Sequence, residues 1–261
     1  MFGVSKPVIG MVHLLGSPGA PRYDREIGMS GSLEWAIKDA ETLENGGVDA
    51  LMFCNEFDTP YPKKVGPETV AAVAHIASRV AEKTSLPHGI SVLFDFFATI
   101  AVAKATGAKF ARVILTGAFA GDYGIMDTHG AELLRYRKYI DAENVKLFTN
   151  ISGEFGAPLA PRPIEVTAKG AVFVGLGDAL IVQGPMTGTE TNADDVHRVK
   201  QAIPNVPVLA GTGVTKENVE TLFHHADGAI VGTSLKVDGN TWNPVDPKRV
   251  KELMNAAKKA R

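Results

Sequence analysis

Short runs of aliphatic and β-branched residues recur along the chain and alternate with stretches of helical periodicity. The apolar runs predict strands at residues 7–13, 48–54, 90–94, 110–115, 145–151, 179–183, 206–210 and 229–231. Apolar positions three and four apart predict helices at residues 32–44, 68–83, 98–106, 130–140, 193–203, 216–223 and 247–259. A further helix, the fifth in chain order, is predicted within residues 163–174.

The alternation predicts an α/β fold, a (β/α)8 TIM barrel that forms one domain over residues 1–261. Strands separated by amphipathic helices indicate βαβ units and a parallel sheet, and eight such pairs in about 250 residues are typical of this barrel. Gly47, Gly107 and Gly177 stand where the end of a helix requires a positive φ. A doubly wound open sheet is the alternative, which the lack of a Gly-x-Gly-x-x-Gly sequence after the first strand disfavours.

In a barrel of this kind the functional residues lie where strands end and lead into helices. Four of the predicted strand-to-helix loops are long, and long loops in a compact domain are usually functional or mobile. These loops are residues 14–31, 55–67, 116–129 and 233–246.

The loops after the last two strands are rich in glycine and hydroxyl residues. The seventh strand is followed by Gly211-Thr212-Gly213 with a helix predicted from about Thr215, and the eighth is followed by Gly232-Thr233-Ser234. Loops at these two positions form the phosphate site of many barrels, where backbone N–H groups and a helix dipole hold the anion. A tight turn is the alternative interpretation of Gly-Thr-Gly, but the pairing favours phosphate binding.

Three ionisable residues at strand ends are candidates for general acid–base catalysis. His13 closes the first predicted strand, Glu56 follows the second and Asp95 follows the third. We expect Glu56 or Asp95 to act as the base and His13 as the acid. The alternatives are structural: His13 could bond a neighbouring loop, Glu56 could pair with an arginine, and Asp95 could cap the helix that starts near Phe96.

Further polar residues at the same face are candidates for substrate binding: Asn55, Arg112, Asn150 and Glu154. Arg112 lies inside the fourth predicted strand, where a charge requires a partner, and Asp95 or Glu56 is the expected carboxylate. Together these acids and amides could also hold a divalent cation such as Mg²⁺.

Composition excludes several classes of protein. Twenty-seven basic and 29 acidic residues give a formal net charge of −2, which does not suit nucleic acid or an anionic membrane. The apolar stretch at the N-terminus is too short and broken for a signal peptide, and we therefore expect a cytoplasmic protein. Cys54 is the single cysteine. No lysine ends a predicted strand at the open face, which disfavours a Schiff-base aldolase, and Lys236 is expected near the ligand or in solvent.

Sequence stretches along the whole chain resemble the BtpA/SgcQ family of barrel proteins, which is placed near the ribulose-phosphate-binding barrels. The stretches that carry the resemblance are residues 6–14, 44–50, 67–72, 211–219, 226–236 and 243–246. Residues 52–57, 106–110 and 116–120 are more similar to the SgcQ branch. BtpA-like members have an Arg-Asn-Asp pattern after the third strand, where this chain reads Leu-Phe-Asp-Phe-Phe at residues 93–97.

The resemblance implies the barrel fold and leaves the activity open, since fold is a weak guide to function. The residues favour an enzyme that acts on a phosphorylated small molecule, a sugar phosphate, by isomerase, epimerase or lyase chemistry. The alternative is a barrel that binds a phosphorylated ligand without catalysis and serves as an assembly or regulatory factor. A homo-oligomer formed through outer helices is also compatible with the sequence.

Overall fold

Eight parallel strands close into a barrel in the computed structural model, which describes residues 1–151 and 153–261. Three further short strands, β5, β6 and β8, lie outside the barrel. In chain order the described strands are β1 (Val8–His13), β2 (Ala50–Cys54), β3 (His88–Ser91), β4 (Phe110–Val113), β5 (Ala118–Gly121), β6 (Gly124–Asp127), β7 (Lys146–Asn150), β8 (Gly156–Pro158), β9 (Ala179–Val182), β10 (Val208–Gly211) and β11 (Gly228–Val231). The barrel runs in the order β1-β2-β3-β4-β7-β9-β10-β11 and closes between β11 and β1. The predicted TIM barrel is therefore confirmed.

Helices follow the barrel strands, as the periodicity predicted. They are α1 (Gly28–Gly46), α2 (Pro67–Ala81), α3 (Phe96–Thr106), α4 (Gly130–Tyr139), α5 (Ile164–Phe173), α6 (Ala193–Ala202), α7 (Val219–Phe223) and α8 (Pro247–Lys259). Helix α7 begins later than predicted because Thr215 and Asn218 form a side-chain turn: the Thr215 N–H donates to Asn218 Oδ1 at 2.8 Å. No helix in the described part of the chain is long and apolar enough to cross a membrane.

The barrel strands are buried on both faces, which explains why they appear as nearly continuous apolar runs. Outward-facing residues pack against the helices, and inward-facing residues form a separate cluster in the barrel interior. Within that cluster the rings of Phe110 and Phe148 stack with centroids 4.8 Å apart. Phe2 packs edge-on against Phe110, with ring centroids 5.8 Å apart, at the amino-terminal end of the barrel strands.

A three-stranded antiparallel sheet, in the order β6-β5-β8, lies outside the barrel. The sequence analysis treated the first two of its strands as part of the 116–129 loop. They form a hairpin in which Gly121 pairs with Gly124, and β8 adds through Gly156. Strands of three or four residues that are half exposed carry no apolar run, so the pattern that revealed the barrel strands could not reveal these.

Two of the three predicted glycine turns have the expected backbone conformation. Gly47 and Gly107 end α1 and α3 with φ of 91° and 71°. The prediction for Gly177 is wrong, because the positive φ falls on Leu176 at 53°. Gly177 is needed for close packing instead, since a Cβ there would lie 2.7 Å from Thr149 Cγ2.

Lys236 is fully buried and forms an ion pair, so the alternative that it lies in solvent is wrong, while the alternative that it lies near the ligand stays a prediction. Its Nζ donates to Asp39 Oδ2 of α1 at 2.6 Å, and the two side chains are 0% and 2% exposed. The second Asp39 oxygen accepts the backbone N–H of Val245 at 2.8 Å. One carboxylate thus fastens the segment after β11 to α1.

We expect Lys236→Met to destabilise the protein by about 3–5 kcal/mol, because it leaves the Asp39 charge buried without its cation. The free energy of unfolding from urea titration measures this. The matched control is Lys216→Met, since Lys216 pairs at 2.7 Å with Glu252 in an exposed position, where an ion pair contributes little to stability. Equal losses in the two variants would show that the Lys236–Asp39 pair has no special role.

Candidate active site

A small cavity opens at the carboxyl ends of the barrel strands and brings together the acidic cluster and the glycine-rich loops. Its free volume is about 40 Å³, little more than one water molecule occupies. The residues that line it are Met11, His13, Glu56, Leu93, Arg112, Glu154, Thr187, Gly188, Thr212, Gly213, Ile230, Gly232 and Thr233. We call this the inner cavity. The acid–base candidates His13 and Glu56 and parts of both glycine-rich loops therefore share one space.

Glu56 is a buried carboxyl group with neutral partners. It lies in a turn of 3-10 helix after β2, where its Oε2 accepts from the Cys54 thiol at 3.6 Å and its Oε1 from the Thr187 hydroxyl at 3.5 Å. Burial and the nearby charge of Glu154 raise the pKa of Glu56 to about 7. A carboxyl group with this pKa can both accept and return a proton near neutral pH.

Arg112 provides the positive charge of the cavity. Its Nη2 donates to Glu154 Oε1 at 3.1 Å and to Gln183 Oε1 at 2.6 Å, and its Nε donates to Asn150 Oδ1 at 3.1 Å. The expected partners, Asp95 or Glu56, are therefore wrong, because the direct carboxylate partner is Glu154. Asn150 and Glu154, predicted to bind substrate, orient this guanidinium.

His13 lies at the end of β1 and is almost fully buried. Burial, together with the positive charge of Lys236, lowers the pKa of His13 well below its ordinary value, although the backbone carbonyl of Thr241 opposes this. The ring is therefore neutral at pH 7. Among the described residues nothing bonds to its Nδ1. A neutral imidazole carries one N–H, and the Thr241 carbonyl is its acceptor here, so Nδ1 is left as an unprotonated acceptor.

Asp95 and Asn55 have structural contacts. The Asp95 carboxylate accepts the N–H groups of Ala98 and Val65 at 2.9 and 3.0 Å, which confirms the helix-capping alternative. Asn55 donates to Asp58 and accepts the N–H of Leu93. Neither Asp95 nor Asn55 is among the described residues that line the inner cavity. Asn55 directly follows β2 as predicted, whereas β3 ends at Ser91 and Asp95 is the N-cap of α3.

The two glycine-rich loops offer several backbone donors. In the described part of the chain, the N–H groups of Gly213, Thr233 and Ser234 donate to no protein acceptor. Thr212 has a φ of 66°, and its hydroxyl accepts the N–H of Gly184 at 2.7 Å. Gly211 is buried at the end of β10.

Ser234 differs from the prediction in its side chain. Its hydroxyl donates to the Val214 carbonyl at 2.5 Å, and the side chain contributes to an external groove beside α8. Any part that Ser234 has in anion binding therefore falls to its backbone N–H, at the start of the 3-10 turn Thr233–Leu235.

The segment between β9 and α6, residues 184–191, contacts both sides of the inner cavity. We call it the covering segment. Its Thr187 reaches Glu56, while a Cβ on its Gly188 would lie 3.5 Å from Thr233. At Gly213 a Cβ would approach the Glu190 backbone to 2.4 Å, so only glycine fits between this segment and the loop after β10.

Three residues that contact the lining of the inner cavity were not identified from the sequence: Gln183, Thr187 and Thr241. Gln183 was visible as the last residue of a predicted strand and could have been recognised as a polar strand end. Thr187 and Thr241 lie in loops without any local signal. Among the described residues, no group of three or more His, Cys, Asp and Glu side chains is arranged to hold a metal ion. The expectation that a divalent cation such as Mg²⁺ binds here therefore gains no support from the geometry and stays a prediction.

Comparison with known proteins gives one consistent family. A family model described as the BtpA family matches residues 4–259. The sgc region protein SgcQ of Escherichia coli is 44% identical over 97% of this chain and 95% of that protein. The photosystem I biogenesis protein BtpA of Synechocystis is 35% identical over 98% of this chain and 89% of that protein.

Solved structures with the same fold are much more distant in sequence. N-(5'-phosphoribosyl)anthranilate isomerase from Pyrococcus furiosus matches with a TM-score of 0.58 at 13% identity, covering 97% of this chain and 99% of that one. Thiamine phosphate pyrophosphorylase from the same organism matches with a TM-score of 0.58 at 13% identity, covering 98% and 96%. At this identity the likeness concerns the fold alone.

The raised pKa of Glu56 predicts a specific dependence of stability on pH. Between pH 4.5 and about 7 the folded protein keeps this proton while the unfolded chain has lost it, so stability falls as the pH rises through this window. Relative to Glu56→Gln, the wild type should lose about 3 kcal/mol between pH 4 and pH 8. Urea titrations of both proteins across this range measure the difference, in which the contribution of His13 cancels. Parallel curves would show that Glu56 has an ordinary pKa.

Proposed function

The chain belongs to the BtpA family, and from this premise and the geometry of the inner cavity we propose that it is an enzyme acting on a phosphorylated sugar or sugar derivative. The observation that carries the proposal is the shared cavity. A carboxyl group with a pKa of about 7 and two glycine-rich loops with free backbone donors line the same space.

Glu56 is the proposed base. It would remove a proton from a carbon next to a carbonyl group, and the electrons of the broken C–H bond would form an enolate. Where the α-carbon bears a hydroxyl group, the intermediate is an enediolate: the hydroxyl proton passes to the former carbonyl oxygen, and Glu56 returns its proton to the former carbonyl carbon, which completes an isomerisation. An epimerisation needs a proton delivered to the opposite face of the α-carbon by a group other than Glu56. In a retro-aldol reaction the same carboxylate would take a hydroxyl proton as the carbon–carbon bond breaks.

Arg112 is proposed to stabilise the enolate oxygen. Its guanidinium is held through Nε and Nη2 by Asn150, Glu154 and Gln183, so little reorganisation is needed when negative charge develops. His13 is neutral and is therefore not the cationic acid that the sequence suggested.

The phosphate group is proposed to bind between the loops after β10 and β11, at the N–H groups of Gly213, Thr233 and Ser234. Backbone donors of this kind favour a dianion without a lysine. Because the inner cavity holds only about 40 Å³, the rest of a sugar phosphate would extend beyond it.

An assembly or regulatory factor that binds a phosphorylated ligand is the second candidate. The name of the Synechocystis relative, a photosystem I biogenesis protein, and the nearly filled inner cavity favour it. This candidate needs the phosphate loops but no base, so the two functions differ in what they require of Glu56.

We expect Glu56→Gln to lower turnover by about 10²–10⁴-fold, the usual contribution of a general base, with phosphate-ligand affinity within about tenfold of the wild type. The assay incubates a panel of sugar phosphates in D₂O and detects product, or deuterium at the carbon next to the carbonyl, by NMR. Glu34→Gln, on the exposed face of α1, is the control. Undiminished turnover would exclude Glu56 as the base, and binding without product or exchange across the panel would favour the factor.

We expect Thr233→Pro to weaken the binding of inorganic phosphate by about tenfold, because it removes one backbone donor at the first position of a 3-10 turn, where proline is tolerated. Thr233→Ala keeps the N–H and should bind phosphate like the wild type. Calorimetric titration measures both, and thermal unfolding checks that both fold. Failure of the wild type to bind phosphate or any sugar phosphate would refute the site.

A further inference from the structure

A second, larger space lies directly outside the inner cavity. Its volume is about 440 Å³, and it shares Glu56, Thr187 and Thr233 with the inner cavity. We call it the outer chamber. A small phosphorylated carbonyl compound held between Thr233 and Glu56 would leave most of this space empty, which raises the question of what else it accommodates.

Aromatic side chains line much of the outer chamber. Tyr61, Tyr123 and Phe155 form a connected group in which the ring centroids of Tyr61 and Tyr123 are 5.5 Å apart and those of Tyr123 and Phe155 are 5.7 Å apart. These contacts fix the rings before any ligand arrives, so binding against them costs little side-chain entropy.

Trp242 belongs to the same chamber and is held by a different group. Its ring meets the ring of Phe57 edge-on at 5.0 Å, and the guanidinium of Arg22 lies 4.0 Å from its centroid. The side chain nevertheless remains 37% exposed. An indole that is fixed in place and still accessible is a surface on which a ring can stack.

The polar part of the lining is neutral apart from Glu56. It consists of hydroxyl and amide groups on Thr59, Asn240 and Thr241. The Asn240 Oδ1 accepts the N–H of Trp242 at 3.1 Å, while its Nδ2 donates to no protein acceptor in the part of the chain that the structure describes. The lining thus combines aromatic faces with neutral hydrogen-bonding groups.

We propose that the outer chamber binds a sugar ring without phosphate, so that the substrate is a phosphorylated disaccharide or glycoside. The C–H faces of a sugar ring pack on aromatic side chains, while its hydroxyl groups exchange hydrogen bonds with threonine and asparagine. An anionic group would lose hydration here without a cationic partner, since the described lining contains no lysine or arginine. The volume lies in the range of roughly 300–1,000 Å³ that small-molecule sites occupy. The phosphorylated half of this substrate rests on the proposed function, whereas sugar binding in the chamber does not.

The experiment titrates the full-length protein with unphosphorylated methyl glycosides of glucose, galactose, mannose, N-acetylglucosamine and ribose. Saturation-transfer NMR detects binding, and tryptophan fluorescence reports contact with Trp242. At least one glycoside should bind with a Kd of about 1–50 mM, and Trp242→Ala should weaken it at least about tenfold. Tyr123→Ala, in the other aromatic group, should also weaken it. Phe173→Ala is the matched control, because this ring on α5 is exposed far from the chamber and its loss should change nothing.

Inorganic phosphate, titrated into the same samples, separates the chamber from the inner cavity. Glycoside binding without phosphate binding would support the chamber and refute the proposed phosphate site. Phosphate binding with no glycoside bound at about 50 mM would overturn the chamber proposal. Equal glycoside affinity in wild type, Trp242→Ala and Tyr123→Ala would also overturn it. Binding of adenosine or uridine, with no glycoside bound, would overturn the assignment to a sugar ring.

Discussion

The burial of Arg112 together with two glutamates constrains the whole open face of this barrel. A guanidinium in the mouth of a parallel barrel loses most of its hydration, and the loss is tolerable only where its donors are satisfied. Asn150 at the end of β7 accepts from its Nε, while Glu154 and Gln183, just after β7 and β9, accept from its Nη2. Glu56 has no such direct cationic partner among the described residues, and burial together with the charge of Glu154 raises its pKa to about 7. The charge of Arg112 offsets this rise only in part.

The barrel itself was accessible from the sequence because its determinants are local and repeated. Each barrel strand is buried on both faces and each helix has one apolar side, so eight alternations marked eight units. The same logic placed His13, Glu56 and the two glycine-rich loops at one face. It could not distinguish Glu56 from Asp95, since both follow strands and only the course of the loop decides that Asp95 meets backbone N–H groups.

The remaining errors share a physical cause, which is that they depend on contacts between segments far apart in the chain. The sequence allowed Lys236 to lie in solvent, because its ion-pair partner Asp39 lies 197 positions earlier in the chain. The Ser234 hydroxyl donates to the Val214 carbonyl, a contact the sequence did not indicate, so the expectation that Ser234 binds phosphate stays a prediction that now concerns its backbone N–H. The small sheet of β5, β6 and β8 depends on pairing across the 116–158 region rather than on any apolar run. The local pattern of a single sequence does not indicate contacts between segments that are far apart in the chain.

The covering segment contacts both the loop after β10 and Glu56. Its first residues are tied to Thr212 through the Gly184 N–H, and its Thr191 hydroxyl bonds the carbonyls of Gly211 and Thr212. Between these anchors, Thr187 touches the Glu56 carboxyl group. A ligand bound against the loop after β10 would therefore contact the same short span of chain that carries Thr187. Any displacement of that span changes the hydrogen bond that the Thr187 hydroxyl donates to Glu56, and with it the pKa of that carboxyl group.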